Sequence, residues 1–372
     1  MTKKLKLMTI VGTRPEIIKM SESIKLFDTA FDHVLVHTGQ NYDYELNQVF
    51  FDDLGLREPD FYLGVVGNDL GETMGNILSK SYTLMRDVRP DALIVLGDTN
   101  SCLCVISAKR LKIPIFHMEA GNRCFDENLP EEVNRRIVDT TSDVNLCYSE
   151  HARRNLLTMG CAVDRTFVVG SPMREVLDAH RKEIESSDVL EKLGLEQGGY
   201  LLLSAHREEN VDHDRALGEM ASAVNALADE YRIPILYSMH PRSKRRIEEQ
   251  GIQFHSLVKP HKPFSFSDYV NLQLNALCVV SDSGTLAEES AILGFPAVSL
   301  RTSSERPEAI DAGAMIVGGI SDREVLQAVG LAILSSGKNP ANVPDYSDSD
   351  ASSKITRIVQ SYTGYVKRNV WG

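Results

Sequence analysis

The chain has 372 residues, 42% hydrophobic and 25% charged, which is ordinary for a globular protein and long enough for two domains. Its net charge of −12 and pI of about 5.4 exclude nucleic acid as a main partner, because no basic tract offsets the acidic balance. No stretch approaches the ~18 apolar residues of a membrane span, and the opening Met1 to Lys6 carries no secretory pattern, so a cytoplasmic protein without a membrane partner is expected.

Lys4 to Val11 reads as a first strand. Gly12-Thr13-Arg14-Pro15-Glu16 turns from it into a helix, with Pro15 at the helix start. A glycine turn meeting a helix N-terminus is a natural anion site, and Arg14 and Lys19 sit there. The turn is neither a dinucleotide fingerprint nor a P-loop. Val34 to Val36 is a second strand, and Asn41 to Leu54 reads as an amphipathic helix rich in aromatics. A helix through Thr73 to Asp87 precedes the strand Ala92 to Leu96, which ends in Gly97-Asp98-Thr99-Asn100. Asp98 thus stands at a strand's C-terminal end, where open α/β sheets place ligands; it would be equally satisfied as a helix cap. A helix over Ser101 to Leu111 follows.

The apolar run Ile113 to Phe116 delivers His117 and Glu119 to the end of another strand. Pro130 then opens a helix carrying Glu131, Glu132 and, four residues after Glu131, Arg135. Glu119 and Glu131 bring two carboxylates toward one point from two elements, as acid–base chemistry at carbon requires; Glu131 and Arg135 also fit a plain salt bridge on a solvated helix. Asp143–Tyr148 and Thr166–Gly170 continue the alternation of strand and helix, which argues for a parallel sheet covered on both faces.

Ser171-Pro172 ends that pattern. A first domain over residues 1–171 and a second over 172–353 are expected. Met173 to Gln197 reads as helical and charged, and strands follow at 200–205, 233–238, 277–281, 296–300 and 314–317. A polar loop over Asn339 to Ser353 leads to a last helix over Ser353–Arg368, in a C-terminal segment of about 354–372 that would cross back to the first domain.

The second series has its own charged strand ends. His206-Arg207 follows the strand at 200–205, and His240-Pro241-Arg242 follows the next in the same way. A lone histidine is usually structural, but two at equivalent strand ends beside arginines point to a ligand. Ser283, Gly284 and Thr285 lead into a helix whose backbone N–H groups suit a phosphate. Glu289, one turn on, suits the two hydroxyls of a ribose. Arg306 suits a pyrophosphate, although Glu305 to Glu308 would also make a salt-bridged loop. These features read as a nucleoside diphosphate held by the second domain and a reacting group held by the first. The fold class expected is α/β, with two doubly wound Rossmann-like domains facing a cleft, the architecture called GT-B. Cys102, Cys104, Cys124, Cys147, Cys161 and Cys278 lack metal-site spacing, and reduced thiols without a metal are expected.

Gly12 to Glu16, Gly97 to Thr99, His117 to Gly121, Pro130 to Glu132 with Asn134-Arg135, His206-Arg207 with Glu209-Asn210, Asp282 to Gly284 with Glu288-Glu289, and Glu305 to Glu308 occur in this order. By these seven motifs the chain resembles the non-hydrolysing UDP-N-acetylglucosamine 2-epimerases along nearly its whole length. The resemblance implies a GT-B fold, no redox cofactor, no catalytic metal and a homodimer. It implies inversion of C2 in a UDP-linked N-acetylamino sugar, by elimination of UDP to a glycal and re-addition. It makes Asp98, Glu119 and Glu131 the acid–base candidates and His206 an aid to the leaving phosphate. Arg14, Lys19, Ser283, Gly284, Glu289 and Arg306 would hold UDP, and Tyr269 falls where an aromatic meets the uracil. Arg135, Arg207, His240 and Thr285 complete the expected substrate-binding set.

The chain departs from the common pattern. Asn122-Arg123-Cys124-Phe125-Asp126 stands where the common form has Leu-Arg-Thr-Gly-Asp, with a shorter loop after it. Glu208 replaces a usual arginine. Gln40 to Tyr44 replaces a segment tied in some bacterial members to activation by a second substrate molecule. These variants resemble the branch that makes UDP-N-acetyl-L-fucosamine from UDP-2-acetamido-2,6-dideoxy-L-talose, for capsule or O-antigen synthesis. The alternatives are an epimerase giving UDP-N-acetylmannosamine, a GT-B glycosyltransferase, a UDP-sugar sensor without activity, and a hydrolysing epimerase.

Overall fold

Apolar runs that must be buried on both faces become the strands of two parallel sheets in the computed structural model, which describes residues 3–39, 51–336 and 342–372. The segment Gln40–Tyr44, and the helix expected over Asn41–Leu54 up to Phe51, lie outside the described residues. The chain forms two compact units, one of Met1–Asp178 with Asp345–Gly372 and one of Ala179–Pro344.

In the first unit the strand order is β3-β2-β1-β4-β5-β6-β7. The strands are β1 (Lys6–Val11), β2 (Asp32–His37), β3 (Phe61–Tyr62), β4 (Ala92–Leu96), β5 (Ile115–Met118), β6 (Val144–Cys147) and β7 (Thr166–Val168). All pairings are parallel, so each strand returns through a helix and all C-terminal ends share one edge. The order reverses between β1 and β4, which makes their C-terminal ends the natural ligand position. Sheet and helices bury Ile10, Leu93, Val95, Ile115, Val105 and Val138 in one core.

Local chemistry fixes the helix starts. The Arg14–Ala30 helix begins at Thr13, with Pro15 in its first turn and Glu16 reaching back to the Thr13 N–H. Pro130 opens the helix Pro130–Thr141. Ser149 caps Glu150–Thr158 by accepting from Ala152 N.

Met173–Gln197 is not one helix but three short ones, Met173–Ala179, Arg181–Glu185 and Val189–Leu193; the last stops at Gly194 in a left-handed conformation. The chain leaves the first unit after Asp178 rather than near Ser171. Glu175 shows why: its carboxylate accepts from Ser352 N and Ser352 Oγ, fastening that segment to the last helix, Ala351–Asn369. Ser352 in turn meets Ser23 of the Arg14–Ala30 helix, with 3.0 Å between hydroxyl oxygens.

The second unit has strand order β10-β9-β8-β11-β12-β13, again all parallel and reversing between β8 and β11. These are β8 (Leu201–Ser204), β9 (Ile235–Ser238), β10 (Val258–His261), β11 (Cys278–Ser281), β12 (Ala297–Ser299) and β13 (Ile316–Val317). Its core joins Leu201, Leu203, Tyr237, Val280 and Val298 to Leu217, Val224 and Val329 of the helices. Both units are thus Rossmann-like α/β domains.

Two strands had no sequence expectation. β3 is two exposed residues at an edge. β10 reads Val258-Lys259-Pro260-His261, mostly exposed and containing a proline, which only an edge strand tolerates. No helix among the described residues is long and apolar enough to cross a membrane.

Candidate active site

At the first unit's switch point the turn after β1 lies beside the turn after β4. Glu16 joins them. Its Oε2 accepts from Gly12 N at 2.9 Å and Thr13 N at 2.6 Å, and its Oε1 accepts from Thr99 Oγ1 at 3.0 Å. The group is fully buried, and that desolvation pushes its pKa from 4.5 up to about 7 against the lowering effect of these hydrogen bonds. Arg14 stands in the same turn, partly exposed.

Asp98 follows Gly97, whose φ of +79° turns the chain sharply at the end of β4. Its carboxylate accepts from Arg135 Nε at 2.7 Å and its carbonyl from Asn134 Nδ2 at 2.9 Å. Arg135 also lies 3.3 Å from Glu132, a buried carboxylate that accepts from Cys124 N at 3.1 Å. The helix face expected to pair Glu131 with Arg135 therefore carries Arg135 onto Asp98 and Glu132. Glu131 opens that helix one residue earlier and is partly exposed.

Glu119 ends β5 in a left-handed conformation, φ +63°, which is rare for a residue with a side chain and marks a held, functional position. Its Oε2 lies 2.7 Å from Lys19 Nζ and its Oε1 is 3.4 Å from Asn122 Nδ2. Lys19 is buried and also lies over the Tyr148 ring at 5.4 Å. Lys19, expected to hold a phosphate, also reaches the acid–base candidate. Arg123 is locked inside, 2.6 Å from Asp139, whereas Cys124 is partly exposed and Phe125 is 73% exposed.

At the second unit's switch point Asp282 is the organising carboxylate. Wholly buried after β11, it accepts from His206 N at 2.9 Å, Arg207 N at 2.9 Å and Asn210 Nδ2 at 3.1 Å. This fixes the turn after β8 and leaves the His206 side chain 42% exposed, its Nδ1 3.4 Å from Asp282. His240 caps the helix Pro241–Glu249 by accepting from Arg242 N, and its ring lies 6.3 Å from that of His206. The two histidines expected at equivalent strand ends are brought together.

Ser283, Gly284 and Thr285 form the turn into the helix Leu286–Leu293, with 3.0 Å between the two hydroxyl oxygens. A Cβ on Gly284 would meet Glu305 Oε1 at 3.0 Å and Arg207 Nη2 at 3.1 Å, so the glycine lets the turn approach a charged cluster. In that cluster Glu305 bridges Arg207 at 3.1 Å and Arg301 at 2.7 Å. Buried Arg306 faces Glu288 at 3.6 Å. Glu289 accepts from Gln273 Nε2 at 2.6 Å. Gln273 shares a helix face with Tyr269, four residues earlier, which puts the aromatic on the side toward Glu289.

The sequence reading gave no role to Glu132, Asp139, Asp282, Glu305 or Arg301. Glu16 alone had a local signal, since Thr13 and Glu16 match the capping-box spacing. No group of three or more His, Cys, Asp or Glu residues suited to a metal occurs among the described residues, and all six cysteines are free.

Two parallel Rossmann-like units with charged switch points define a GT-B type enzyme of nucleotide-sugar chemistry. The family model for UDP-N-acetylglucosamine 2-epimerase matches residues 26–360. The chain is similar to the UDP-N-acetylglucosamine 2-epimerase structure from Rickettsia bellii, at 46% identity and TM-score 0.91, with 99% of both chains covered. It is similar to Methanocaldococcus jannaschii UDP-GlcNAc 2-epimerase, solved in complex with UDP-GlcNAc and UDP, at 32% identity and TM-score 0.90, covering 96% of this chain and 100% of that one. A Pseudomonas aeruginosa UDP-2,3-diacetamido-2,3-dideoxy-D-glucuronate 2-epimerase is 29% identical over 95% of this chain and 99% of its own. The chain belongs to the UDP-N-acetylglucosamine 2-epimerase family and is a UDP-sugar 2-epimerase, an isomerase of the non-hydrolysing kind.

Proposed function

We propose that this enzyme epimerises C2 of UDP-2-acetamido-2,6-dideoxy-L-talose, giving UDP-N-acetyl-L-fucosamine for capsule or O-antigen synthesis, and works as a cytoplasmic homodimer. The observation that supports the choice of sugar is the segment after Glu119. With Arg123 turned inward onto Asp139, Cys124 and Phe125 are what the segment offers a ligand. An apolar, uncharged contact suits the C6 methyl of a 6-deoxy sugar better than a C6 hydroxyl, which would lose a hydrogen bond there.

The reaction divides between two sets of residues. The proton on C2, the amide-bearing carbon, is very weakly acidic, so the C1–O bond to UDP must loosen as the proton leaves. In the second unit, Ser283, Gly284 and Thr285 with Arg306 and Arg207 take the charge that gathers on the pyrophosphate. His206, exposed beside His240, donates to the departing phosphate oxygen. Glu289 holds the ribose hydroxyls and Tyr269 the uracil. In the first unit, Glu119, Asp98 and Glu131 move the proton. The C2–H electron pair becomes the C1–C2 double bond of the glycal, and the C1–O pair leaves with UDP. UDP then re-adds at C1 while a proton reaches the opposite face of C2. Lys19 aims Glu119, Arg135 aims Asp98, and Arg14 adds a cation for the phosphates.

The names of several relatives favour a second reading, in which UDP-N-acetylglucosamine is converted to UDP-N-acetylmannosamine. Proton NMR in D2O, with each UDP-sugar supplied separately, separates the two. Deuterium entering C2 of the 6-deoxy sugar alone, with a new isomer formed, is the expected result. Deuterium entering only the N-acetylglucosamine compound overturns the choice of sugar, and exchange into neither overturns both readings of the substrate.

A further inference from the structure

Three carboxylates from three elements must hold their separations for one proton to move between faces of one carbon. Asp98 follows β4, Glu119 follows β5, and Glu131 starts the Pro130–Thr141 helix. A shift of one ångström among such groups is enough to slow chemistry about a hundredfold. Glu119 holds φ +63°, a conformation rare for a residue with a side chain, between Gly97 and Gly121, glycines that take φ +79° and +86° freely.

One buried pair touches all three elements. His117, on β5 and wholly buried, places Nε2 2.8 Å from the carbonyl oxygen of Gly97, the residue before Asp98. A carbonyl only accepts, so Nε2 carries the proton in that contact. The other ring nitrogen, Nδ1, lies 2.9 Å from Asp139 Oδ1. Asp139 belongs to the same helix as Glu131, about two turns further along. Its Oδ1 also accepts from Gly121 N at 3.2 Å, and its Oδ2 from Arg123 at 2.6 Å. Asp139 therefore grips both ends of the turn that carries Glu119, and His117 extends the grip to the turn that carries Asp98. Rotation of the ring would give up the bond to the Gly97 carbonyl, whose loss in a buried site is costly.

We infer that His117 is a positioning residue of the epimerase reaction: a buried imidazole whose Nε2 bond to the Gly97 carbonyl ties the turn carrying Asp98 to β5, beside an Asp139 carboxylate that ties the Glu119 turn to the Pro130 helix. The inference rests on the assignment of Asp98, Glu119 and Glu131 made above. It accounts for a fully buried histidine between two strand ends, where an apolar side chain would otherwise serve the core.

The test separates the two partners of the ring. His117→Gln sets an amide donor near the position of Nε2, and His117→Asn sets one near Nδ1. For the full-length enzyme, kcat, KM and C2 deuterium incorporation are measured on the sugar that the wild type turns over, with UDP affinity by calorimetry. His117→Asn is expected to lower kcat and exchange at least tenfold with UDP Kd within twofold, and His117→Gln to recover most of that loss. Unchanged kcat in His117→Asn, or equal losses in both variants, overturns the role. If His117→Asn does not fold, His117→Gln decides alone, since a folded His117→Gln slowed more than thirtyfold contradicts the link to Gly97. A wild type without C2 exchange would instead refute the acid–base assignment, and a wild type that exchanges beside an unaffected His117→Asn would refute only the present inference.

Discussion

Glu16 offers a direct measurement of what the carboxylate beneath the first unit's switch point costs. Replacing it by glutamine keeps the shape and removes the charge. Burial raises its pKa from 4.5 to about 7 in the folded protein. A raised carboxyl pKa means that the folded state binds the proton more tightly than the unfolded state does. The associated stability is therefore fully present below about pH 4.5 and is lost as pH rises through about 7. A shift of this size corresponds to roughly 3 kcal/mol, most of it falling between about pH 5 and about pH 8. Urea unfolding of the wild type and of Glu16→Gln at those two pH values isolates the contribution of the carboxyl. The wild type should lose a few kcal/mol more than the variant over that range, on the order of 2–3. Parallel pH dependences in the two proteins would show that Glu16 titrates alike when folded and unfolded, and the argument from burial would fail.

Other substitutions test other parts of the frame. Gly121→Ala puts a Cβ 2.3 Å from the carbonyl oxygen of Ala152, which lies on helix backbone and cannot swing aside, at a φ of +86°. A loss of at least about 2 kcal/mol is expected from the left-handed conformation and the clash together, and a thermal midpoint equal to the wild type would refute it. Glu119→Gln and Glu131→Gln should each slow C2 deuterium exchange by about a hundredfold or more while leaving UDP affinity within about tenfold; undiminished exchange in both would remove them from proton transfer. Arg306→Lys keeps a cation for buried Glu288 but gives up the planar fork, so UDP affinity should fall about tenfold with a smaller loss of stability than in Arg306→Ala. Calorimetry showing unchanged UDP affinity would take Arg306 out of the pyrophosphate site.

Much of the fold was legible because its strands are buried on both faces. Ala92 to Leu96 and Leu201 to Leu203 are unbroken apolar runs, and two of the helices announce themselves with Pro15 and Pro130 at their starts. Edge strands lack that signature. β10 is three-quarters exposed and contains Pro260, so nothing local distinguishes it from a loop; the parallel ladder with β9 makes it a strand. The Met173–Gln197 stretch was legible as helical without strands, and three helices form there; composition does not show where segments must end to follow the surface beneath them, as at Gly194.

The site was legible to the extent that it sits at strand ends, since a parallel sheet brings all its C-terminal ends to one edge whatever the loops contain. Partner choice was not. Lys19 reads as a phosphate ligand because it lies near a glycine turn, and its nitrogen also meets Glu119, one hundred positions along the chain. Arg135 reads as a partner for Glu131 by helix spacing, and its guanidinium also reaches Asp98 after β4. Helix spacing of that kind is worth a few tenths of a kcal/mol. A buried charge that would otherwise stand unpaired is worth several times more. Pairing across the fold therefore matters here and leaves no local mark in the sequence. Asp282, Asp139 and Glu16 follow the same logic. Each is a buried carboxylate that takes backbone N–H groups from turns that have no regular partner, so each is specified by the turns it serves rather than by its own neighbours in sequence. The candidate substrate residues are proposed from motif chemistry, while those that hold them in place emerge only when the folded backbone shows which of its polar groups would otherwise be left unsatisfied.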